Sequence, residues 1–265
     1  MIPATAPIPV PDPELIAFAH DLADRAGAVI RPLFRQPLDV DTKSDASPVT
    51  IADRGAEAAI RELINDRYPE HGILGEEFGA ERADADWVWH LDPIDGTKSF
   101  ICGSAQFATL IALAWRGEPV IGIIDQPIQR ERWVGVTGKP TLFNGKPVQT
   151  RECAGLDHAT FFSWGAECFE GDRGAALWRL AEGTALRRYS ADAYAYGLLA
   201  LGFVDIVAEN DLKPHDYLAL APVVNGAGGR ITDWEGNPIR FGTGAETVAV
   251  GDPALHAQVI ARLKG

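Results

Sequence analysis

Apolar residues recur at helical spacing from Leu15 through Phe18, Ala19, Leu22, Ala26 and Val29, the stripe of a helix that buries one face. Just ahead of it, Asp12-Pro13-Glu14 reads as a helix start: an Asp N-cap, Pro at the first helical position and an acid in the first turn. A second stripe, Ala56, Ala59, Ile60, Leu63 and Ile64, predicts a helix over residues 51–68. The polar residues 43–48 between them predict a loop. From Ile73 the period changes to that of short strands. Residues 87–91 alternate and are expected to stop at Asp92-Pro93. Residues 107–115 and 119–125 flank Arg116-Gly117-Glu118, which predicts a hairpin, and 132–136 with a piece ending at Asn144-Gly145 extend the meander. Strands and helices then alternate. Strands are predicted over 159–164, 185–189 and 204–209, helices over 172–182, 191–201 and 215–226, and a last helix opens at Asp252-Pro253.

This order predicts an α/β protein in two packed parts. An antiparallel α+β subdomain over 12–145 carries the first chemistry, and an α/β subdomain over 146–265 completes it. Residues 1–11, with prolines at 3, 7, 9 and 11, read as an extended arm. That arm lacks the basic and continuous apolar regions of a signal peptide, and the longest apolar runs are too short or interrupted to span a bilayer. The expectation is a cytoplasmic protein with no membrane partner.

Charge narrows the class further. The 265 residues carry 24 Lys and Arg against 37 Asp and Glu, a net charge of −13. No basic face is evident, which argues against nucleic acid as a partner. The three cysteines are widely spaced and odd in number, so they form neither a disulfide framework nor a zinc site. Six histidines include no HExxH or HxH pattern, and no Ser-His-Asp arrangement stands out. His90 and His215 therefore read as structural residues or as supports behind the site's ligands.

The acids themselves are the informative feature. Asp92-Pro93-Ile94-Asp95-Gly96-Thr97-Lys98-Ser99-Phe100 places two acids around a stiff proline and follows them with a Gly-Thr pair. Gly96 allows close backbone approach, and N–H groups opening a short helix can receive phosphate oxygens. Gly75-Glu76-Glu77 adds acids after a second apolar pair. Such oxygen ligands suit Mg²⁺.

The stretch from Asp92 to Phe100 closely resembles the signature of the inositol monophosphatase family of Mg²⁺-dependent phosphomonoesterases. Thr50-Ile51-Ala52-Asp53, Gly75-Glu76-Glu77 and Leu212-Lys213-Pro214-His215-Asp216 match further family segments in order, and the resemblance runs from about Asp12 to the C-terminus. It implies a layered αβαβα sandwich and a homodimer. It also implies that Glu76, Asp92 and the Ile94 carbonyl hold one ion, and that Asp92, Asp95 and Asp216 hold a second. A third ion would be held largely through Glu76 and waters, and Mn²⁺ is a possible substitute. Thr97 and Asp53, with Glu76, would act on the attacking water, and the N–H groups of Gly96 and Thr97 would receive phosphate.

Around Arg188, Asp192, Tyr194 and Tyr196, and around Asp125-Gln126-Pro127, the chain looks like the histidinol-phosphatase branch. Histidinol phosphate carries an ammonium and an imidazole that acids can pair with. Asp192 and Glu209 are the candidates for that cationic end, with Arg188 near the substrate or its phosphate. Asp192 also stands where the N-cap of the 191–201 helix belongs, while Tyr194 and Tyr196 read as core. Two positions depart from the inositol-phosphatase pattern: His215 precedes Asp216, and Ser99 replaces a frequent Asn. The expected reaction is hydrolysis of histidinol phosphate, in histidine biosynthesis. The alternatives are an inositol-1-phosphate phosphatase, a broad sugar or nucleotide phosphatase, and an RNA-machinery binding factor of the same family; the full ligand set favours an enzyme.

Overall fold

A computed structural model of the chain describes residues 8–37, 39–42 and 48–265. Residues 1–7 of the arm and 43–47 of the expected loop lie outside that set. Helix α1 (Pro13–Ile30) opens on its start signal, with Asp12 Oδ1 accepting from the Glu14 N–H at 2.9 Å. Helix α2 (Ile51–Arg67) opens on a capping box formed by Thr50 and Asp53. The remaining helices are α3 (Thr97–Ile101), α4 (Gly171–Glu182), α5 (Tyr194–Ala200), α6 (Pro214–Tyr217), α7 (Leu220–Gly226) and α8 (His256–Lys264).

Their placement follows from which faces are apolar. An eight-stranded, largely antiparallel sheet is built from residues 72–147, with Gly72–Gly75 parallel to Trp87–Asp95. Along its central strands Ile111, Leu113, Ile121 and Ile123 alternate with Leu110, Ala112 and Ile124. The first set packs against α1 and α2, and the second against α5 and α7. A five-stranded mixed sheet covers the far side of α5 and α7 with Phe162, Val207 and Ala249. Its other face, including Phe161, Ile206 and Val248, is sealed by α4 and α8. The result is the expected αβαβα sandwich, a set of five layers. Among the described residues no helix is long and apolar enough to cross a membrane.

Three elements differ from their sequence expectation, each for a local reason. The strand expected to stop at Asp92-Pro93 continues to Asp95. Its neighbour pairs Leu110 with Asp92 and Ala108 with Asp95, so three steps oppose two and one residue is extra. This is a β-bulge, the setting in which a strand tolerates proline. The helix expected over 191–201 begins only at Tyr194, because Ser190 (φ 64°) and Asp192 (φ 44°) are left-handed. The helix expected over 215–226 divides into α6 and α7. Pro222 has no N–H to donate to the Leu218 carbonyl, so the turn between them cannot close as α-helix.

Candidate active site

The bulge is what assembles the acids. Residues three apart on a regular strand point to opposite faces; one extra residue returns Asp95 to the side of Asp92. Ile94 N–H donates to Asp92 Oδ1 at 3.0 Å, and Thr109 Oγ1 donates to the Pro93 carbonyl at 2.8 Å, which fixes the irregular backbone. Asp216 enters at the start of α6, where its Oδ2 accepts from the Lys213 N–H at 2.7 Å. One carboxylate oxygen from each of Asp92, Asp95 and Asp216 lies within 4.8 Å of the others. Glu76 follows strand Gly72–Gly75, donates its N–H to Leu91 O at 3.1 Å, and shares a side-chain hydrogen bond with Asp92.

Burial and mutual repulsion make this cluster costly without a cation. Burial first, then Glu76, Asp95 and Asp216, pushes the Asp92 carboxyl well above the usual range. Burial followed by Asp192 and Asp216 does the same to Asp95, and burial raises Asp216 against the opposing pull of His215.

Next to the cluster, Thr97 Oγ1 lies 3.1 Å from the Ile94 carbonyl oxygen and 3.3 Å from Asp53 Oδ1. The other Asp53 oxygen accepts from Thr50 N–H at 2.9 Å and Thr50 Oγ1 at 2.6 Å. Burial raises the Asp53 carboxyl above its ordinary value despite those bonds. Gly96 adopts φ 87° at the start of α3, and a Cβ there would fall 2.5 Å from Asp192 Oδ2. Glycine is required on both counts.

A cavity of about 420 Å³ opens beside these residues, with Trp164, Asp192, Glu209 and His215 in its wall. Asp192 does not cap α5. Asp95 Oδ2 takes the Ala193 N–H at 2.6 Å, while Asp192 Oδ2 accepts from Ser99 Oγ at 3.0 Å. Burial lifts Asp192 to about 6, with Ser99 and Lys98 pulling down. Glu209 is buried, accepts from Tyr196 OH at 2.9 Å through Oε2, and leaves Oε1 without a hydrogen-bond partner. Burial pushes its carboxyl to about 8.

Arg188 stands apart from these residues. It stands exposed on the edge strand Leu186–Tyr189 and outside the set of residues lining the cavity, so the fold does not bring it to the acids. Asp125 and Gln126 also serve the scaffold. Asp125 pairs with Arg132 at 2.6 Å, and Gln126 Oε1 accepts from the N–H groups of Ile128 and Gln129.

Sequence reasoning missed Trp164, and it noted Ser99 only as a departure from the family pattern and not as a partner of Asp192. Trp164 follows strand Thr160–Ser163, donates its indole N–H to Asn210 Oδ1 at 3.3 Å, and has Lys98 Nζ 5.6 Å from its ring centroid. The available signal was position: parallel strands present ligand-binding residues at their carboxyl ends, and both Trp164 and Glu209 stand at such ends.

The inositol monophosphatase family model matches residues 12–264. The chain belongs to that family. It is 45% identical over 271 residues to the bifunctional phosphatase IMPL2, chloroplastic, of Arabidopsis thaliana, covering 98% of this chain and 78% of that protein. It is 35% identical to the histidinol-phosphatase of Mycobacterium tuberculosis, covering 94% and 97%. A solved inositol monophosphatase from Zymomonas mobilis superposes with a TM-score of 0.88 at 46% identity, covering 95% of this chain and 98% of that one. As an inositol monophosphatase family member the chain is a phosphatase for small phosphate esters, and the family is metal-dependent. The acids fit that requirement. An all-oxygen donor set, partly buried and self-repelling, suits a hard divalent cation.

Proposed function

We propose that this inositol monophosphatase family member is a Mg²⁺-dependent histidinol-phosphate phosphatase. Glu76, Asp92 and the Ile94 carbonyl would hold one Mg²⁺, and Asp92, Asp95 and Asp216 a second. Bound there, the ions would neutralise the phosphoryl oxygens and lower the proton affinity of the attacking water. The residues of the chain do the rest. Thr97 orients the water through its hydroxyl, and Asp53, whose carboxyl is raised by burial, accepts the proton relayed through it. The N–H groups of Gly96 and Thr97 receive the phosphate.

The observation that carries the choice of ester is Glu209 Oε1, a buried acceptor on the cavity wall with no partner. An unmade bond there is costly, and an imidazole N–H or ammonium would supply it. Asp192 offers a second acid in the same cavity. Inositol 1-phosphate is the second reading, favoured by the 46% identity to the Zymomonas enzyme, because ring hydroxyls also donate to carboxylates.

Asp192→Asn separates the two. Asn tolerates the left-handed backbone at this position and can still accept from Ser99, so the fold is preserved. Loss of one charge-assisted bond, ~1.5–3 kcal/mol, should lower kcat/KM on histidinol phosphate roughly ten- to a hundredfold. Glycerol 2-phosphate, with an uncharged head group, should be affected far less. Steady-state kinetics on both esters checks this. An equal fall on the two would remove Asp192 from substrate recognition.

A further inference from the structure

Asp53, Glu57 and Arg61 recur every four residues along one side of α2. Asp53 faces Thr97, but Glu57 has no part in the chemistry described above, and it is fully buried. Its carboxylate is spent on the turn after strand Gly72–Gly75. Glu57 Oε2 accepts from the Glu77 N–H at 2.7 Å, and Oε1 accepts from the Phe78 N–H at 3.2 Å. With Glu76 N–H on the Leu91 carbonyl, three consecutive amides around Glu76 are held. Arg61 Nε donates to Glu57 Oε1 at 2.8 Å, and Arg61 Nη2 donates to the Gly79 carbonyl at 2.5 Å, which closes the clamp on the far side of the turn. The approach is so close that a Cβ on Gly75 would lie 2.0 Å from Glu57 Oε1.

We propose that Glu57 is a positioning residue that sets the Glu76 carboxylate against Asp92 and so tunes the affinity of the metal site. The arrangement explains why a buried acid is kept in the middle of a helix. One rigid element delivers Asp53 to Thr97 and, one turn later, fixes the backbone of Glu76. Gln at 57 cannot replace the acid, since its amide nitrogen would face a backbone N–H where an oxygen now accepts.

The inference rests on the metal-site reading, so the test includes a variant of that site. Mn²⁺ binding is measured by calorimetry on purified wild type, Glu57→Gln, Gly75→Ala and Asp92→Asn, well below each melting temperature, with folding checked by near-ultraviolet circular dichroism. Groups that orient a metal ligand typically matter ten- to a hundredfold in affinity. Glu57→Gln and Gly75→Ala should therefore bind Mn²⁺ about tenfold more weakly while folded; Gly75→Ala leaves the Glu57–Arg61 pair chemically intact. A purely structural clamp would lower the melting temperature and leave the affinity unchanged. Mn²⁺ affinity within twofold of wild type in the folded variants would overturn the inference, and so would failure of both to fold, which would assign the clamp to the fold. A wild-type chain that binds no Mn²⁺, or Asp92→Asn binding as wild type does, would overturn the metal-site reading instead.

Discussion

Asp92→Asn is expected to abolish useful turnover and, in the same protein, to raise the melting temperature measured in EDTA. Both effects come from one geometry. Asp92 shares a hydrogen bond with Glu76 and also clusters with Asp95 and Asp216, so its carboxylate is the group both proposed ions would share. Without it, turnover at saturating Mg²⁺ should fall by about a thousandfold or more, ~4 kcal/mol of transition-state stabilisation, the scale on which electrostatic groups aimed at a reacting centre act. In the metal-free protein the same carboxyl is pushed up by burial and by three neighbouring acids. Asn keeps the shape and removes the repulsion, so the EDTA melt should rise while the increase caused by Mg²⁺ disappears. Calorimetric melts with EDTA and with Mg²⁺, beside a turnover assay, check the pair of outcomes. An unchanged Mg²⁺ response would place the ions elsewhere.

The pH dependence of stability in the metal-free protein is the second large effect. Glu209 keeps its proton to about 8 in the folded chain, and Asp92 and Asp95 are also held well above the carboxylate range. In the unfolded chain all three lose theirs near 4. Above that value the folded state binds more protons, so stability must fall as pH rises toward the folded values. Histidines act in the opposite sense at lower pH, because burial pulls His20, His71, His90 and His256 down. By about pH 7.5 they are largely neutral in both states, which leaves pH 7.5 to 9 as the diagnostic window. Glu209 alone contributes roughly 0.8 kcal/mol across it, or about 2–3 °C in a chain of this size. Melts in EDTA should therefore fall with pH over that window, and saturating Mg²⁺ should flatten the fall. A flat or rising EDTA curve would contradict the electrostatics assigned to the acids.

Local patterns carried much of the fold into view. The start signal at Asp12, the stripe of α2, the hairpin at Arg116-Gly117 and most strands of both sheets lie within a few residues of where periodicity puts them. The misplaced boundaries share a cause. Proline after Asp92 reads as a stop, yet the sheet absorbs it in a bulge whose register is set by the neighbouring strand. The left-handed residues before α5 are fixed by long-range partners, Ser99 for Asp192 and Asp95 for the amide of Ala193. Motif order picked out Asp53, Glu76, Asp92, Asp95 and Asp216; the last four line one cavity, and Asp53 reaches Thr97 in its wall. Glu57 was not, because an acid on an amphipathic helix reads as solvated, and only the packing of α2 on the Glu76 turn buries it. Arg188 shows the converse: its sequence neighbour Asp192 lines the cavity, while Arg188 itself stands exposed on an edge strand.

The most direct test is inorganic phosphate release by the purified chain from histidinol phosphate, inositol 1-phosphate and adenosine 3′,5′-bisphosphate, each with Mg²⁺ and with EDTA. The account predicts release that requires the metal, with the highest kcat/KM on histidinol phosphate. Release that survives EDTA would contradict the metal site, and a higher kcat/KM on either of the other two esters would contradict the assigned substrate.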